Sequence, residues 1–169
     1  MYLRDYNSLS LAGFYRGRRG CVTSTAPAVA PLRAGMLIEF TKRGVQPHST
    51  YEGLNDRVFV QPGVEFSTTK DEYEIGELVP YIKAVGRAGV FVLLKGGQKV
   101  SRGDGLLSNG DGTVISEYAG TRHHRAIAAI ALEDADVVED TIIAARVQMR
   151  QDEIRYLTEP ETLAPGEFD

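Results

Sequence analysis

The side chains in this sequence that could catalyse reactions or bind metals are not spaced so as to form a site. The three histidines are His48, in a polar loop, and the adjacent pair His123 and His124. Neighbouring residues of a strand point to opposite faces, so this pair could share a metal ion only from a loop. The sequence has no Cys-x-x-Cys, His-x-His or Glu-x-x-His spacing, and it therefore predicts no metal site. The roles of His123 and His124 stay open.

The cysteine and the carboxylates are equally isolated. Cys21 is the single cysteine, which excludes an intramolecular disulfide, and it has no histidine or carboxylate near it to activate a thiolate. Asp104, Asn109 and Asp111 lie beside glycines without the full spacing of a calcium loop, so Asx turns are expected. The five carboxylates of residues 133–140 predict a solvated corner, or else a surface for basic groups of a neighbouring subunit. We therefore predict no enzyme and no cofactor.

The stretch Val90–Ser116 organises the rest of the chain, because it contains three short apolar runs separated by polar, glycine-rich corners. Asn-Gly and Asp-Gly pairs tolerate the positive φ of tight hairpins, so the pattern predicts three strands joined by two turns. A phosphate-binding loop would open a helix, and no helical period follows Gly97 or Gly112. The predicted structural turn residues are Gly96, Gly97, Gly103, Asp104, Asn109, Gly110, Asp111 and Gly112.

Other apolar runs of strand length flank this stretch. They are Met36–Phe40, Arg57–Gln61 and Leu78–Val85 before it, and Ala126–Leu132 and Thr141–Val147 after it. The spacing of apolar residues in the last two runs fits either a helix or a strand. Thr, Ile and Val in the final run and the regular glycine turns favour strands. The predicted fold class is mainly β: a small antiparallel β barrel or sandwich with an extended N-terminal arm and little helix.

Charge and composition divide the chain into three predicted segments. Residues 1–34 are predicted to be an extended N-terminal arm and linker, 35–150 a β-rich body and 151–169 an acidic C-terminal tail. Residues 1–50 carry a net charge of +5 and the remainder −9, which is typical of an interaction arm on an acidic body. No apolar run approaches the ~20 residues of a membrane helix, and the N-terminus has no hydrophobic signal core. We therefore expect synthesis in the cytoplasm and no membrane partner.

The arm interleaves aromatic and arginine side chains, the types that most often anchor protein interfaces. The residues predicted to contact a partner are Tyr2, Arg4, Tyr6, Phe14, Tyr15, Arg16, Arg18 and Arg19. The same side chains bind single-stranded nucleic acid, but no second basic patch supports them and the body is acidic. A protein partner is favoured, and the alternatives are a nucleic-acid-binding β barrel and a barrel-type enzyme using His123, His124 and Asp104.

Four segments in the second half of the chain carry a resemblance to a known family. They are GQKVSRGDGL (97–106), NGDGTV (109–114), AIAAIALEDAD (126–136) and the closing run 141–147. Residues 75–148 resemble the C-terminal half of the small capsid cement, or head decoration, proteins of tailed bacteriophages. Ala128-Ala129 replaces the Gly-Val usual in that family. The V-x-x-G-D-x-L turn also occurs in biotinyl and lipoyl carriers, but Lys95 and Lys99 lack the neighbours of a modified lysine.

The resemblance implies a non-enzymatic virion protein on the outer surface of an expanded capsid, made in the host cytoplasm. Its partners would be the major capsid protein and its own copies, commonly as a homotrimer, with no direct contact to nucleic acid. It would cement neighbouring capsid subunits, since weak contacts repeated over a symmetric shell add up to strong attachment. The arm would then lie along capsid protein or a neighbouring cement subunit.

Overall fold

Every regular element that the structure describes is a β-strand. The structure, a computed structural model, describes residues 21–51, 56–61, 63–65, 68–84, 89–119 and 126–147. These ranges contain no helix, and so none that is long and apolar enough to cross a membrane. The predicted class, mainly β with a barrel, is confirmed.

Residues 21–84, here called the sheet unit, form a curled five-stranded sheet. Its strands are β1 (Cys21–Pro27), β3 (Leu37–Thr41), β4 (Gly44–Pro47), β5 (Val58–Val60) and β9 (Leu78–Ala84), in the order β1-β9-β5-β3-β4. Two small antiparallel pairs are β2 (Leu32–Arg33) with β8 (Glu72–Tyr73), and β6 (Gly63–Glu65) with β7 (Thr68–Lys70). A parallel bridge between Ala28 and Val45 brings the chain after β1 to β4, so the sheet curls almost into a barrel.

Residues 89–147, here called the barrel unit, form a closed barrel. Its strands are β10 (Gly89–Leu94), β12 (Gly105–Ser108), β13 (Val114–Ser116), β14 (Ile127–Ala131) and β16 (Thr141–Arg146), in the order β10-β13-β12-β14-β16. Neighbours are antiparallel except β10 and β13, which pair in parallel at Leu94 and Val114. A short pair, β11 (Lys99–Val100) with β15 (Ala135–Asp136), lies at its side.

The central strands of the sheet unit are buried on both faces, because alternate residues point to opposite sides. Leu37, Phe59 and Ile82 pack with the core of the barrel unit. Ile38 and Val58 point the other way, into a second cluster inside the curled sheet. The run Val58–Val60 is consequently apolar at every position instead of alternating.

The prediction that residues 21–34 belong to an arm and linker is wrong. β1 pairs with β9 along its whole length, from Cys21 opposite Ala84 to Pro27 opposite Leu78, and Leu32 is fully buried. The run is rich in small and hydroxyl residues, which is typical of linkers, but threonine and valine also favour strands. The folded body therefore includes residues from 21 onward. Residues 1–20 and 148–169 lie outside the described residues, so the arm and tail stay predictions.

Candidate functional site

The glycine-rich corner 109–112, between β12 and β13, lies where the two units meet. The N–H of Leu37 donates to the carbonyl of Gly112 (2.8 Å), and the N–H of Gly112 donates to the carbonyl of His48 (3.2 Å). Gly110 and Gly112 have φ of 81° and 85°, a conformation that favours glycine. Besides turning the chain, this corner joins the barrel unit to the sheet unit; we call it, with Leu37, His48 and Ser108, the junction.

A second backbone contact between the two units involves β10, whose pairing with β13 is limited to Leu94 and Val114. The N–H of Leu93 donates to the carbonyl of Gly35 (2.8 Å), and the N–H of Gly35 donates to the carbonyl of Val60 (2.9 Å). Gly35 has a φ of 80°, and a Cβ there would lie 2.9 Å from the nitrogen of Leu93. Glycine is therefore required for the close approach of the two units.

His48 was expected in a polar loop, and its ring is instead buried in the junction with 0% exposure. Its Nδ1 lies 2.8 Å from the hydroxyl of Ser108, which also accepts the N–H of Gly110 (3.2 Å). Within the described ranges the ring Nε2 has no hydrogen-bond partner. Burial lowers the pKa of His48, and the negative charge of Glu39 offsets part of that effect.

The Asp111 carboxylate is saturated by local donors. Its Oδ1 accepts the N–H (2.9 Å) and the hydroxyl of Thr113, and its Oδ2 accepts from Asn109 Nδ2 (3.0 Å) and Lys95 Nζ (3.2 Å). Burial alone would raise the pKa of Asp111, but the bonds from Thr113, Asn109 and Lys95 lower it to about 2. These oxygens stabilise the turn and are not arranged as the ligand set of a calcium loop.

The acidic segment 133–140 is not simply a solvated corner. Glu133, Asp134 and Asp140 accept the backbone N–H groups of Ala144 (2.8 Å), Arg102 (2.8 Å) and Gly96 (2.9 Å) respectively. The solvated interpretation is wrong for Glu133 and Asp140, which are partly buried, but it fits Asp134, which is exposed. All three carboxylates hold neighbouring loops of the barrel unit. Asp136, with a side chain 76% exposed, does face solvent.

Asp140 also joins the two units, because its Oδ2 lies 3.4 Å from Nη1 of Arg33 in the sheet unit. Lys95 Nζ is 4.0 Å from the other oxygen of Asp140 and 3.2 Å from Asp111. Alternating charges thus run across the outer edge of the junction. All four side chains are partly exposed, so solvent screens the network.

The remaining predicted positions lie either in turns or outside the described residues. Gly97 and Gly103 have φ of 77° and 102°, and a Cβ at Gly96 would lie 2.6 Å from the carbonyl of Val138. Asp104 accepts the N–H of Ser101 at 2.7 Å. In the part of the chain that the structure describes, no three His, Cys, Asp or Glu side chains are grouped to hold a metal. The arm residues and His123 and His124 lie outside the described residues.

Several large apolar side chains are exposed at positions that the sequence analysis did not single out. They are Phe40, Ile75, Leu78, Tyr118 and Val138. The Phe40 ring packs edge to face on Tyr81, with centroids 5.2 Å apart. Each of these side chains lies at or near a strand end or turn. Turn residues in the sequence indicate such locations, but they do not predict that the neighbouring apolar side chains are exposed. Exposed apolar residues are common on soluble proteins.

Comparison with known proteins finds similarity to a solved structure but no match by sequence. No family model matches the chain, and no curated protein matches it. The crystal structure of the N base of the head fiber gp8.5 of bacteriophage phi29 is similar with a TM-score of 0.46 and 16% sequence identity. The match covers 76% of this chain and 94% of that chain. At this score and identity the neighbour assigns neither a function nor a partner to this chain.

Proposed function

We propose that this chain is a structural, non-enzymatic protein of a bacteriophage virion. It binds the outer surface of the capsid and cements neighbouring major capsid subunits, stabilising the expanded head. The observation that carries the proposal is that the segments resembling cement proteins together make up most of one structural unit. They supply β11, β14, β15 and β16 and the first residues of β12 and β13, and β10, which pairs with β16 and β13, closes the barrel.

The physical character of the barrel unit supports a structural role. The barrel unit leaves little strand edge unpaired, because β10 pairs with β16 along its length and bonds to Gly35 of the sheet unit beyond its single pair with β13. Copies can therefore be crowded on a shell with little edge-to-edge aggregation. The carboxylates of Asp104, Glu133, Asp134 and Asp140 accept backbone N–H groups and hold the loops between strands. Such an arrangement suits a rigid platform that bears load between neighbouring subunits.

The arm supplies the proposed contact with capsid protein or with a neighbouring copy. Aromatic and arginine side chains bury large areas at protein interfaces and form directional hydrogen bonds. The proposed contact residues are Tyr2, Arg4, Tyr6, Phe14, Tyr15, Arg16, Arg18 and Arg19. The proposed assembly is a homotrimer, and many such contacts over the shell would hold a weakly binding protein in place.

The test is cosedimentation of the purified full chain with expanded, undecorated heads, alongside the heat resistance of the heads and the solution mass by light scattering. Saturable binding with higher heat resistance is expected. A variant lacking residues 1–20 should bind at least ~10-fold more weakly, because the anchoring side chains are gone. A matched control is K99A, an exposed barrel lysine, which should bind as the full chain does. No binding of the full chain at micromolar concentration would contradict the proposal.

A nucleic-acid-binding role is the second candidate, favoured by the arginine and aromatic side chains of the arm. It predicts binding to single-stranded DNA or RNA that weakens steeply as salt rises, since each neutralised phosphate releases counterions. The same purified chain in a salt series decides between the two candidates. Binding of heads without binding of single strands would leave only the cement role.

A further inference from the structure

His48 joins the two units by two contacts. It belongs to the sheet unit, where its N–H donates to the carbonyl of Leu37 (3.0 Å). Its carbonyl accepts from Gly112 (3.2 Å) and its ring Nδ1 lies 2.8 Å from the Ser108 hydroxyl, both in the barrel unit. One residue thus supplies a main-chain bond and a side-chain bond across the junction.

The junction accommodates a neutral ring. A neutral imidazole has one N–H and one acceptor nitrogen, and Nδ1 can serve either way with a hydroxyl as partner. An imidazolium donates from both nitrogens, and no described residue accepts a hydrogen bond from Nε2. Protonation would therefore place a charge and an unsatisfied donor in a site with 0% exposure. Such a state is costly unless the site opens to water.

The charged groups around His48 are already engaged. On β3, Glu39 accepts from Gln46 Nε2 (2.7 Å) and from the Ser49 hydroxyl (2.9 Å). On the barrel side, Asp111 accepts from Thr113, Asn109 and Lys95, and the Lys95 ammonium adds a positive charge. Burial lowers the pKa of His48 by more than the negative charge of Glu39 raises it, so the pKa of His48 is lowered overall.

We propose that His48 is an acid-sensitive latch between the sheet unit and the barrel unit. When the ring is protonated, the contacts of His48 with Ser108 and Gly112 break and the junction opens, while the strands within each unit stay paired. The latch follows from the buried ring and its contacts, and it holds whether or not the chain is a cement protein.

The direction of the pH dependence follows from linkage. The pKa of His48 is lowered in the folded protein from an ordinary 6.5, so the unfolded or opened state binds more protons. The stability that the His48 contacts contribute to the closed junction is complete above about pH 6.5. It declines as the pH falls toward the lowered pKa of His48. The carboxylates Glu39 and Asp111 have pKa values below their ordinary 4.5 and 3.8, so their contributions are lost in a separate, more acidic range.

The experiment compares the full chain with H48Q and with the double variant H123Q/H124Q, which makes the same substitution at histidines outside the described residues. Melting temperatures are measured between pH 8 and pH 5. We expect the melting temperature of the wild-type chain to fall by ~3–6 °C over this range. The melting temperature of the double variant should fall by the same amount. The melting temperature of H48Q should change by less than half as much.

Hydrogen exchange of the wild-type chain locates the opening, with labelling times adjusted for the intrinsic effect of pH. The amides of Leu37, Leu93 and Gly112, which donate between the two units, should lose protection at pH 5.5, while the amides of β14 and β16 keep theirs. Equal pH dependence in H48Q and wild type would overturn the proposal. Uniform loss of protection throughout the barrel unit would also overturn it, and this result does not require H48Q to fold.

Discussion

At the scale of the residue, Gly44 decides whether the sheet unit can close. It has a φ of 152°, and a Cβ at this position would collide with the carbonyl oxygen of Pro27. Pro27 is the last residue of β1, next to the bridge between Ala28 and Val45. The absence of a side chain at Gly44 therefore lets the end of β1 reach the hairpin of β3 and β4.

Substituting Gly44 should destabilise the protein more than substituting Gly76, a glycine in the same unit. Gly76 also has a positive φ of 90°, but a Cβ there would meet nothing within 4 Å. G76A should lose ~1 kcal/mol for the backbone conformation alone. G44A should lose ~2–4 kcal/mol, because the strand end must also move. Urea denaturation of both variants measures the difference, and equal losses would show that closure at Pro27 is unimportant.

Asp111 should contribute stability that depends on its negative charge. Because the pKa of Asp111 is lowered to about 2 from an ordinary 3.8, its contribution is complete above about pH 4 and is lost as the pH falls through 2. Its side chain is 44% exposed, so after screening by solvent D111N should cost only ~1 kcal/mol at pH 7. Urea denaturation at pH 7 and pH 2.5 measures this.

The matched control for Asp111 is D136N, whose carboxylate is 76% exposed and 3.9 Å from Lys99. It should change the free energy of unfolding by less than ~0.5 kcal/mol. The cost of D111N should shrink at pH 2.5, where part of the wild-type carboxylate is protonated. A cost that is unchanged between the two pH values would mean that the geometry of the turn, and not the charge, determines the effect.

At the scale of the element, local patterns predicted the strands but not their distant contacts. β10, β12, β13, β14 and β16 follow from apolar runs and glycine corners that can be read within a few residues. β1 was missed because its threonines and serines resemble a linker, and its partner β9 comes more than fifty residues later. The bond from His48 to Ser108 spans 60 residues, and the bond from Asp140 to Gly96 spans 44. Such contacts depend on tertiary packing, which no local pattern contains.

The assignment of β1 to the folded body has a direct test in two truncated variants. Without residues 1–20, all seven pairs between β1 and β9 remain, and the melting temperature should stay within ~3 °C of the full chain. Without residues 1–27, β9 loses a neighbour, and melting should become broad or fall by more than ~10 °C. Circular dichroism on heating compares the two. Similar melting of both variants would mean that β1 is dispensable to the fold.

At the scale of the whole molecule, both units contribute to one apolar cluster, and a second apolar cluster lies within the sheet unit alone. Leu37, Phe59 and Ile82 of the sheet unit pack with the barrel core, whereas Ile38 and its neighbours pack inside the curled sheet. The two residues Leu37 and Ile38 are adjacent in β3, and both have 0% exposure. Because successive residues of a strand point to opposite faces, Leu37 packs in the cluster that both units share and Ile38 packs in the cluster inside the sheet unit.

This division predicts different effects for L37A and I38A. Each substitution removes a buried aliphatic side chain and should cost ~2–5 kcal/mol, so the two variants are closely matched. L37A leaves a cavity in the shared cluster, and the amides of both units should exchange faster with solvent hydrogen. I38A leaves its cavity inside the sheet unit, and amides of β12, β14 and β16 should keep protection because the closed barrel retains its own hydrogen bonds. Hydrogen exchange at pH 7.5 distinguishes the two results. If barrel amides respond equally to both substitutions, the chain unfolds as one indivisible unit and the shared cluster has no special role in coupling its halves.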